Sequence, residues 1–271
     1  MNFSVDNNLS TRYVNGGQVS FSSNPQGTRS RTKTNPVKPD TFENKVIRQF
    51  STTELLYQKY LELLLPNRLL NSYLNEATVK RLVAQSPSVR EILNKNHVAL
   101  TINLDNLRDI ESSHLDTTVA YSLGIAKELG LSAAEKKTIA TGALFHDFGK
   151  LLIPENIVNK KGRLTDEEKR IIDLHSVLGK ELLSKTSLDK GALEIIENHH
   201  KSFSKGPDLK TQIVTVADIY SALTTERAYK KVLTREQSLH IIYSYAKMGK
   251  LNPVVVEALE NYIAKTTPIN V

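Results

Sequence analysis

The chain has 271 residues, enough for one large domain or two small ones whose core needs no covalent staples. With 39% hydrophobic residues and no cysteine, the composition is that of an ordinary soluble protein and excludes both a disulfide framework and a thiolate metal site, leaving His and carboxylates as the strong side-chain ligands. The net charge of +7 comes from Lys and Arg scattered along the chain, not from a basic block with interleaved aromatics, which argues against a nucleic-acid surface.

No run approaches the roughly 18 to 20 apolar residues of a membrane helix, and the polar start lacks a signal-peptide core. The expectation is a cytoplasmic protein without a membrane segment. Residues 1–43, from MNFSVDNN to NPVKPDTFE, are rich in Asn, Ser, Thr, Gly and Pro without an apolar period, and predict a disordered tail. Residues 44–100 turn helical in TTELLYQKYLELLLPNRLLNSYL, which Pro66 breaks, and Ser88 with Glu91 has the capping-box spacing to start SVREILNKN. This small helical region carries no visible chemistry and offers a surface for a protein partner or a second copy of the chain.

Residues 101–271 read as successive helices. Ser132 with Glu135, Thr165 with Glu168 and Thr234 with Gln237 have the S/T-x-x-E/Q spacing that satisfies free amides at a helix start, and Pro253 after Asn252 suits a first helical position. Strand-like alternation is nearly absent and there is no internal repeat. The fold class is therefore all-α, a helical bundle.

Seven histidines are no excess at this length, so their positions must carry the argument. His146 and Asp147 end an apolar helix in ATGALFHDFGK, where Gly149 would let the backbone turn away. His114 opens the amphipathic run HLDTTVAYSLGIAKELGL. His175 lies on the apolar side of IIDLHSVLGKELL, where a buried imidazole needs a partner. His199 and His200 close ALEIIENHH and diverge by about 100° on a helix, which suits a metal edge better than a core. Asp218 sits in TQIVTVADIYSAL, the most apolar helix, where its carboxylate must be neutralised, hydrogen-bonded or metal-bound.

Taken singly, each residue reads equally well as a satisfied core or surface group. Together, the five imidazoles and two carboxylates exceed the needs of one ion and suit two that share a carboxylate. Two metals about 3.5 to 4 Å apart serve phosphate-ester hydrolysis by stabilising both attacking and leaving oxygens.

These segments resemble the HD phosphohydrolase superfamily and, within it, the HD-GYP family of cyclic di-GMP phosphodiesterases. The resemblance covers about residues 106–262, through ALFHDFGKLLIPENIVNKKGRLTDEEKRIIDLHSVLGKELL, IIENHH, IVTVADIYSALTTERAYKKVLT and LNPVVVEALENYI. It implies an HD-GYP-like bundle over residues 101–271 in which His114, His146, Asp147 and Asp218 hold one metal. His175, His199 and His200 would hold the second, with Asp147 bridging and taking part in catalysis. Lys150 resembles the family's lysine against the scissile phosphate, and Arg227 and Lys230 in TTERAYKK match its basic substrate-binding positions. A solvated charged turn is the alternative reading of that last pair.

Two departures qualify the resemblance. The family's loop reads approximately HHExxDGxGYP, whereas this chain reads HHKSFSKGPDLKTQ and reaches its next helix about ten residues sooner, so the GYP signature is missing. Some relatives hold a third metal with a glutamate one turn before the first His; here that position is Ile110, and the neighbouring Glu111 points about 100° away. The expectation is a binuclear site. Its mixed nitrogen and oxygen ligands suit iron or manganese, and its substrate is a cyclic dinucleotide, cyclic di-GMP by resemblance. Hydrolysis of another phosphate ester, or a non-catalytic cyclic-dinucleotide-binding scaffold, are the competing readings.

Overall fold

Helix starts are set by local hydrogen bonds, and those bonds are formed as the spacing predicts. Ser132, Thr165 and Thr234 each accept from the amide three residues on, while Glu135, Glu168 and Gln237 reach back to the cap amide. Val254 donates its amide to Asn252 Oδ1 at 3.0 Å, and the last helix begins at Pro253. The computed structural model describes residues 75–104, 106, 112–225 and 232–266. The expectations for the tail, for the Pro66 break, for Ile110 and Glu111, and for Arg227 and Lys230 lie outside the described residues.

The described residues form ten α-helices and two 3₁₀ turns, with no strand among them. The helices are α1 (Glu76–Ala84), α2 (Pro87–Lys95), α3 (Ser112–Glu128), α4 (Ala133–Phe145), α5 (Glu155–Val158), α6 (Asp166–Leu183), α7 (Lys190–Asn198), α8 (Leu209–Thr224), α9 (Arg235–Lys247) and α10 (Pro253–Thr266). The 3₁₀ turns are Phe148–Leu152 and Phe203–Lys205. No described helix is long and apolar enough to cross a membrane.

The predicted capping box at Ser88 is not used. Pro87 starts α2 one residue earlier, with Ser86 at its N-cap, because proline at a first helical position loses no hydrogen bond. That frees the Ser88 hydroxyl to donate to Glu181 Oε2 at 2.6 Å, while Ser86 Oγ donates to the Glu181 carbonyl at 3.2 Å. Residues that look like local punctuation thus join α2 to α6.

The core has α8 at its centre, packed along α3 and also against α4, α7, α9 and α10. Its inward face is Ile213, Val214, Val216, Ala217, Ile219, Tyr220 and Leu223, all buried. Helix α4 lies between α3 and α7, and α6 packs on α7 and on the first 3₁₀ turn. Removing such faces from water contributes about 25 cal/mol per Å² of apolar surface, so this layer fixes α3, α4, α6, α7 and α8 relative to one another. Those helices carry every described candidate ligand or lead directly into it.

Gly149 serves space, not conformational freedom. Its φ is not positive, so the expected release of the backbone is not its role. A β-carbon there would lie 1.9 Å from the His175 carbonyl oxygen and 2.6 Å from the Gly179 amide. Only hydrogen fits between the turn that follows Asp147 and the helix that carries His175.

Candidate metal centre

The seven residues expected to act together do come together, from chain positions as far apart as 114 and 218. His175, His199 and His200 form one group, His114, His146 and Asp218 another, and His146, Asp147 and His199 link the two. Within each group one ligand atom per residue lies within 4.8 Å of the others. His114, His146, Asp147, His175 and His199 are all buried, and His199 is 0% exposed.

Each ring is set by the element that carries it. His146 caps α4 and its Nδ1 lies 2.7 Å from the Ala143 carbonyl; His199 caps α7 and its Nδ1 lies 2.9 Å from the Ile196 carbonyl. Carbonyls in the last turn of a helix lack intrahelical partners, so these two are free to accept an imidazole N–H. His175 repeats the arrangement inside α6, Nδ1 to the Ile172 carbonyl at 2.5 Å, and His114 Nδ1 lies 2.8 Å from Ser221 Oγ. A neutral imidazole that donates from Nδ1 presents a bare lone pair at Nε2, the tautomer that binds metals.

These lone pairs face one another. His175 Nε2 is 3.2 Å from His199 Nε2 and 3.1 Å from His200 Nε2. For His175 and His199 the Nδ1 proton is committed to a backbone carbonyl, so a true hydrogen bond between the two Nε2 atoms requires an imidazolium. Burial opposes that, driving His175 down to about 3 against the pull of Asp147, and holding His199 well below the ordinary range with the help of His200, His146 and His175. His200 is likewise lowered, to about 4, chiefly by burial. Its Nδ1 is buried without a partner. Three imidazoles converging in this way, two of them with Nδ1 already engaged, are a candidate donor set for a cation.

The carboxylates complete the other side. Asp218 Oδ1 is 3.2 Å from His114 Nε2 and 3.7 Å from His146 Nε2. The two oxygens of Asp147 face different groups: Oδ2 is 3.3 Å from His146 Nε2 and 2.6 Å from Lys150 Nζ, while Oδ1 is 3.4 Å from His175 Nε2. His146 Nε2 is close enough to Asp147 for an ion pair but is not aligned for a hydrogen bond. Burial would lower His146, but Asp147 and Asp218 outweigh it and raise it to about 9. Burial would raise Asp147 and Asp218; instead Asp147 is held well below the carboxylate range, mainly by His146 and Lys150, and Asp218 by His114 and His146. Neutral imidazoles at His175, His199 and His200 beside the ionised Asp147, with a buried unbonded nitrogen on His200, fit a divalent metal ion.

Several supporting residues escape a motif search. Asn106, wholly buried, donates from Nδ2 to the Lys150 and Ile153 carbonyls, both at 2.8 Å, and so ties down the turn that follows Asp147. Thr215 donates to the His199 carbonyl at 2.6 Å, and Thr117 Oγ1 lies 2.6 Å from Ser221 Oγ. Thr215, Asp218 and Ser221 are spaced by three on α8, so this polar stripe in an apolar helix was available as a signal. Nothing in the sequence around Asn106 marks its role.

The class this defines is a helical bundle that gathers imidazoles and carboxylates from five segments into a candidate metal centre. The chain belongs to the HD domain family, whose family model matches residues 87–255. It is 36% identical over 148 residues to the cyclic di-GMP phosphodiesterase response regulator RpfG of Xanthomonas campestris pv. campestris, covering 50% of this chain and 39% of that protein. Over 170 residues it is 34% identical to a cyclic di-GMP phosphodiesterase of Thermotoga maritima, covering 57% of this chain and 45% of that one. A 3′3′-cGAMP-specific phosphodiesterase of Vibrio cholerae is 30% identical over 141 residues, 48% of this chain and 31% of its own length. The chain thus spans less than half the length of these curated relatives.

Proposed function

We propose that this chain is a binuclear metal-dependent phosphodiesterase that hydrolyses a cyclic dinucleotide, cyclic di-GMP foremost, in a cytoplasmic signalling role. The observation that carries the proposal is the 3.2 Å approach of His175 Nε2 and His199 Nε2 with both Nδ1 protons engaged elsewhere. His114, His146, Asp147 and Asp218 would hold one ion and His175, His199 and His200 the second. The outward division of the two Asp147 oxygens supports its sharing between them. Bound divalent ions, with iron or manganese suited to these donors, supply Lewis-acid stabilisation of charge on the attacking, leaving and non-bridging oxygens.

The chain's own residues orient the reaction. The Ala143, Ile172 and Ile196 carbonyls accept the Nδ1 protons of His146, His175 and His199 and so turn Nε2 of each ring toward the site, while His146, raised to about 9, must give up its second proton before it can serve as a ligand. Lys150, 19% exposed at its side chain, has donors beyond the one directed at Asp147 and stabilises negative charge on a phosphoryl oxygen. In the balanced step, water oxygen bonds to phosphorus, one ester P–O bond breaks, and the departing ribose oxygen takes a proton. Arg227 and Lys230 are proposed as further phosphate-binding cations by resemblance.

The test is turnover of cyclic di-GMP, 3′3′-cGAMP and cyclic di-AMP by protein loaded anaerobically with iron or with manganese, beside elemental analysis. Conversion to linear dinucleotide or mononucleotide supports the proposal; metal-replete protein without turnover of any of the three sinks it. The 3′3′-cGAMP arm is motivated by the Vibrio relatives of that specificity, the second also 32% identical over 154 residues.

A further inference from the structure

A cavity of about 210 Å³ lies against the His175 group and is lined by Asp173, Ser176, Asn198, His200, Lys201, Ser202 and Lys205. Pockets that enclose a whole drug-sized ligand measure roughly 300 to 1,000 Å³, so this one suits part of a ligand. Its position matters because His200 belongs both to the cavity wall and to the proposed metal ligands. Whatever occupies the cavity lies beside His200.

The lining carries two exposed cations, Lys201 and Lys205, and among the described residues neither is ion-paired with a carboxylate. Lys150, Lys160, Lys180 and Lys210 each hold an acidic partner, whereas Lys201 and Lys205 stand on the cavity wall with their charges available to a ligand. The segment that presents the pair is braced. Phe203 and Ser204 donate their amides to the Lys250 and Gly249 carbonyls at 2.9 and 3.0 Å, and the Lys201 amide donates to the Asn198 carbonyl at 2.7 Å. A loop pinned to the α9–α10 turn loses little entropy when its cations engage an anion.

The other wall residues narrow the class of occupant. Ser176, Asn198 and Ser202 suit sugar hydroxyls and phosphate oxygens, and Asp173 accepts only from donors while ionised. A bare phosphate would meet that carboxylate unfavourably; a nucleotide brings base and sugar donors to it. Resting on the phosphodiesterase reading, we infer that this cavity holds the non-scissile nucleotide of the cyclic dinucleotide, with Lys201 and Lys205 on its phosphate. The short segment after the His pair then supplies substrate selection in this chain.

The experiment compares the full chain, metal-loaded, with its Lys201→Gln/Lys205→Gln and Lys201→Arg/Lys205→Arg variants. Each is assayed on cyclic di-GMP, with two phosphates, and on bis(p-nitrophenyl) phosphate, with one. A charge-assisted phosphate contact is worth about 1.5 to 3 kcal/mol, so the glutamine variant should lose about tenfold or more in the ratio of kcat/KM for the dinucleotide over the simple diester. The loss should fall in KM, metal content should match wild type, and the arginine variant should recover most of the ratio. An unchanged ratio, or equal loss on both substrates, overturns the inference. Wild type that cleaves the simple diester but no cyclic dinucleotide removes the function proposal itself, before any substitution is made.

Discussion

His175 and His199 place their Nε2 atoms 3.2 Å apart while their Nδ1 atoms lie on the Ile172 and Ile196 carbonyls. Two acceptors held face to face in a buried site repel, and a shared cation removes the conflict. A metal-stripped sample should therefore gain markedly on adding iron(II) or manganese(II). At a hundredfold excess over Kd, binding adds about 2.7 kcal/mol, equivalent to about 5 to 10 °C in Tm for a domain of this size. Calorimetry on wild type and on His199→Ala checks this: the variant should lose most of the shift and part of its metal. A shift of equal size in both would show that the ion binds elsewhere.

The same site makes metal-free protein acid-sensitive. His175, lowered to about 3, His200, lowered to about 4, and His199 all bind protons more weakly folded than unfolded, where the ordinary value is near 6.5. Below that value the unfolded chain holds more protons, so stability falls as pH falls. Each histidine contributes a slope of up to about 1.4 kcal/mol per pH unit. His146 acts oppositely: raised to about 9, its contribution is full below about 6.5 and is lost as pH rises through 9. Urea unfolding of chelated protein between pH 4.5 and 9.5 should show a maximum near neutrality, and His200→Gln should flatten the acid limb. A pH-independent midpoint from 5 to 7 would contradict this account.

Gly149→Ala should be among the most damaging single changes available. Its methyl would sit 1.9 Å from the His175 carbonyl, backbone against backbone, so the turn and α6 must separate. Overpacking of this kind typically costs about 1 to 3 kcal/mol, and the contact here belongs at or beyond the upper end. Gly179→Ala meets nothing nearer than 3.0 Å and should cost less. Urea midpoints rank the two; equal costs would refute the close-approach explanation.

Lys150→Gln should separate chemistry from metal binding. If Lys150 stabilises charge on the reacting phosphate, kcat falls by roughly two orders of magnitude while metal content stays at the wild-type level. Loss of metal in proportion to activity would instead assign Lys150 to holding Asp147, 2.6 Å away.

Asn106→Ala tests the brace beneath the turn. The buried Ile153 carbonyl and the part-buried Lys150 carbonyl lose their side-chain donor, though Lys150 keeps the Ile153 amide. Removing a buried partner leaves a penalty of about 1 to 3 kcal/mol. Denaturation should report that loss, and Asn106→Asp should not rescue it, since a carboxylate offers no N–H. Full stability of the alanine variant would show that the brace is dispensable.

Where the code is local, the sequence was legible. Three capping boxes and the Asn252–Pro253 start are formed as spacing dictates, since each is a contact between residues two or three apart. Even so, Ser88 followed a distant partner, Glu181, once Pro87 had started the helix. The seven ligand candidates were legible as residue types that an apolar helix cannot bury alone. Their grouping came from the family resemblance and not from the residues themselves, because proximity between His114 and Asp218 depends on how α3 meets α8. Gly149 was noticed for a wrong reason: a glycine needed for clearance and one needed for a turn look alike until the neighbouring backbone is known. Asn106 was invisible, its whole role being two carbonyls over 40 residues away.

The ligand candidates lie on α3, at the end of α4, on α6, at the end of α7 and on α8, and the chain has no cysteine. Ions at this centre would be the tightest tie between segments over a hundred positions apart, doing for an uncrosslinked bundle what disulfides do for small secreted domains. Metal supply would then set the lifetime of the fold as well as its chemistry. A cell short of the ion would hold a less stable protein, and not merely an idle one.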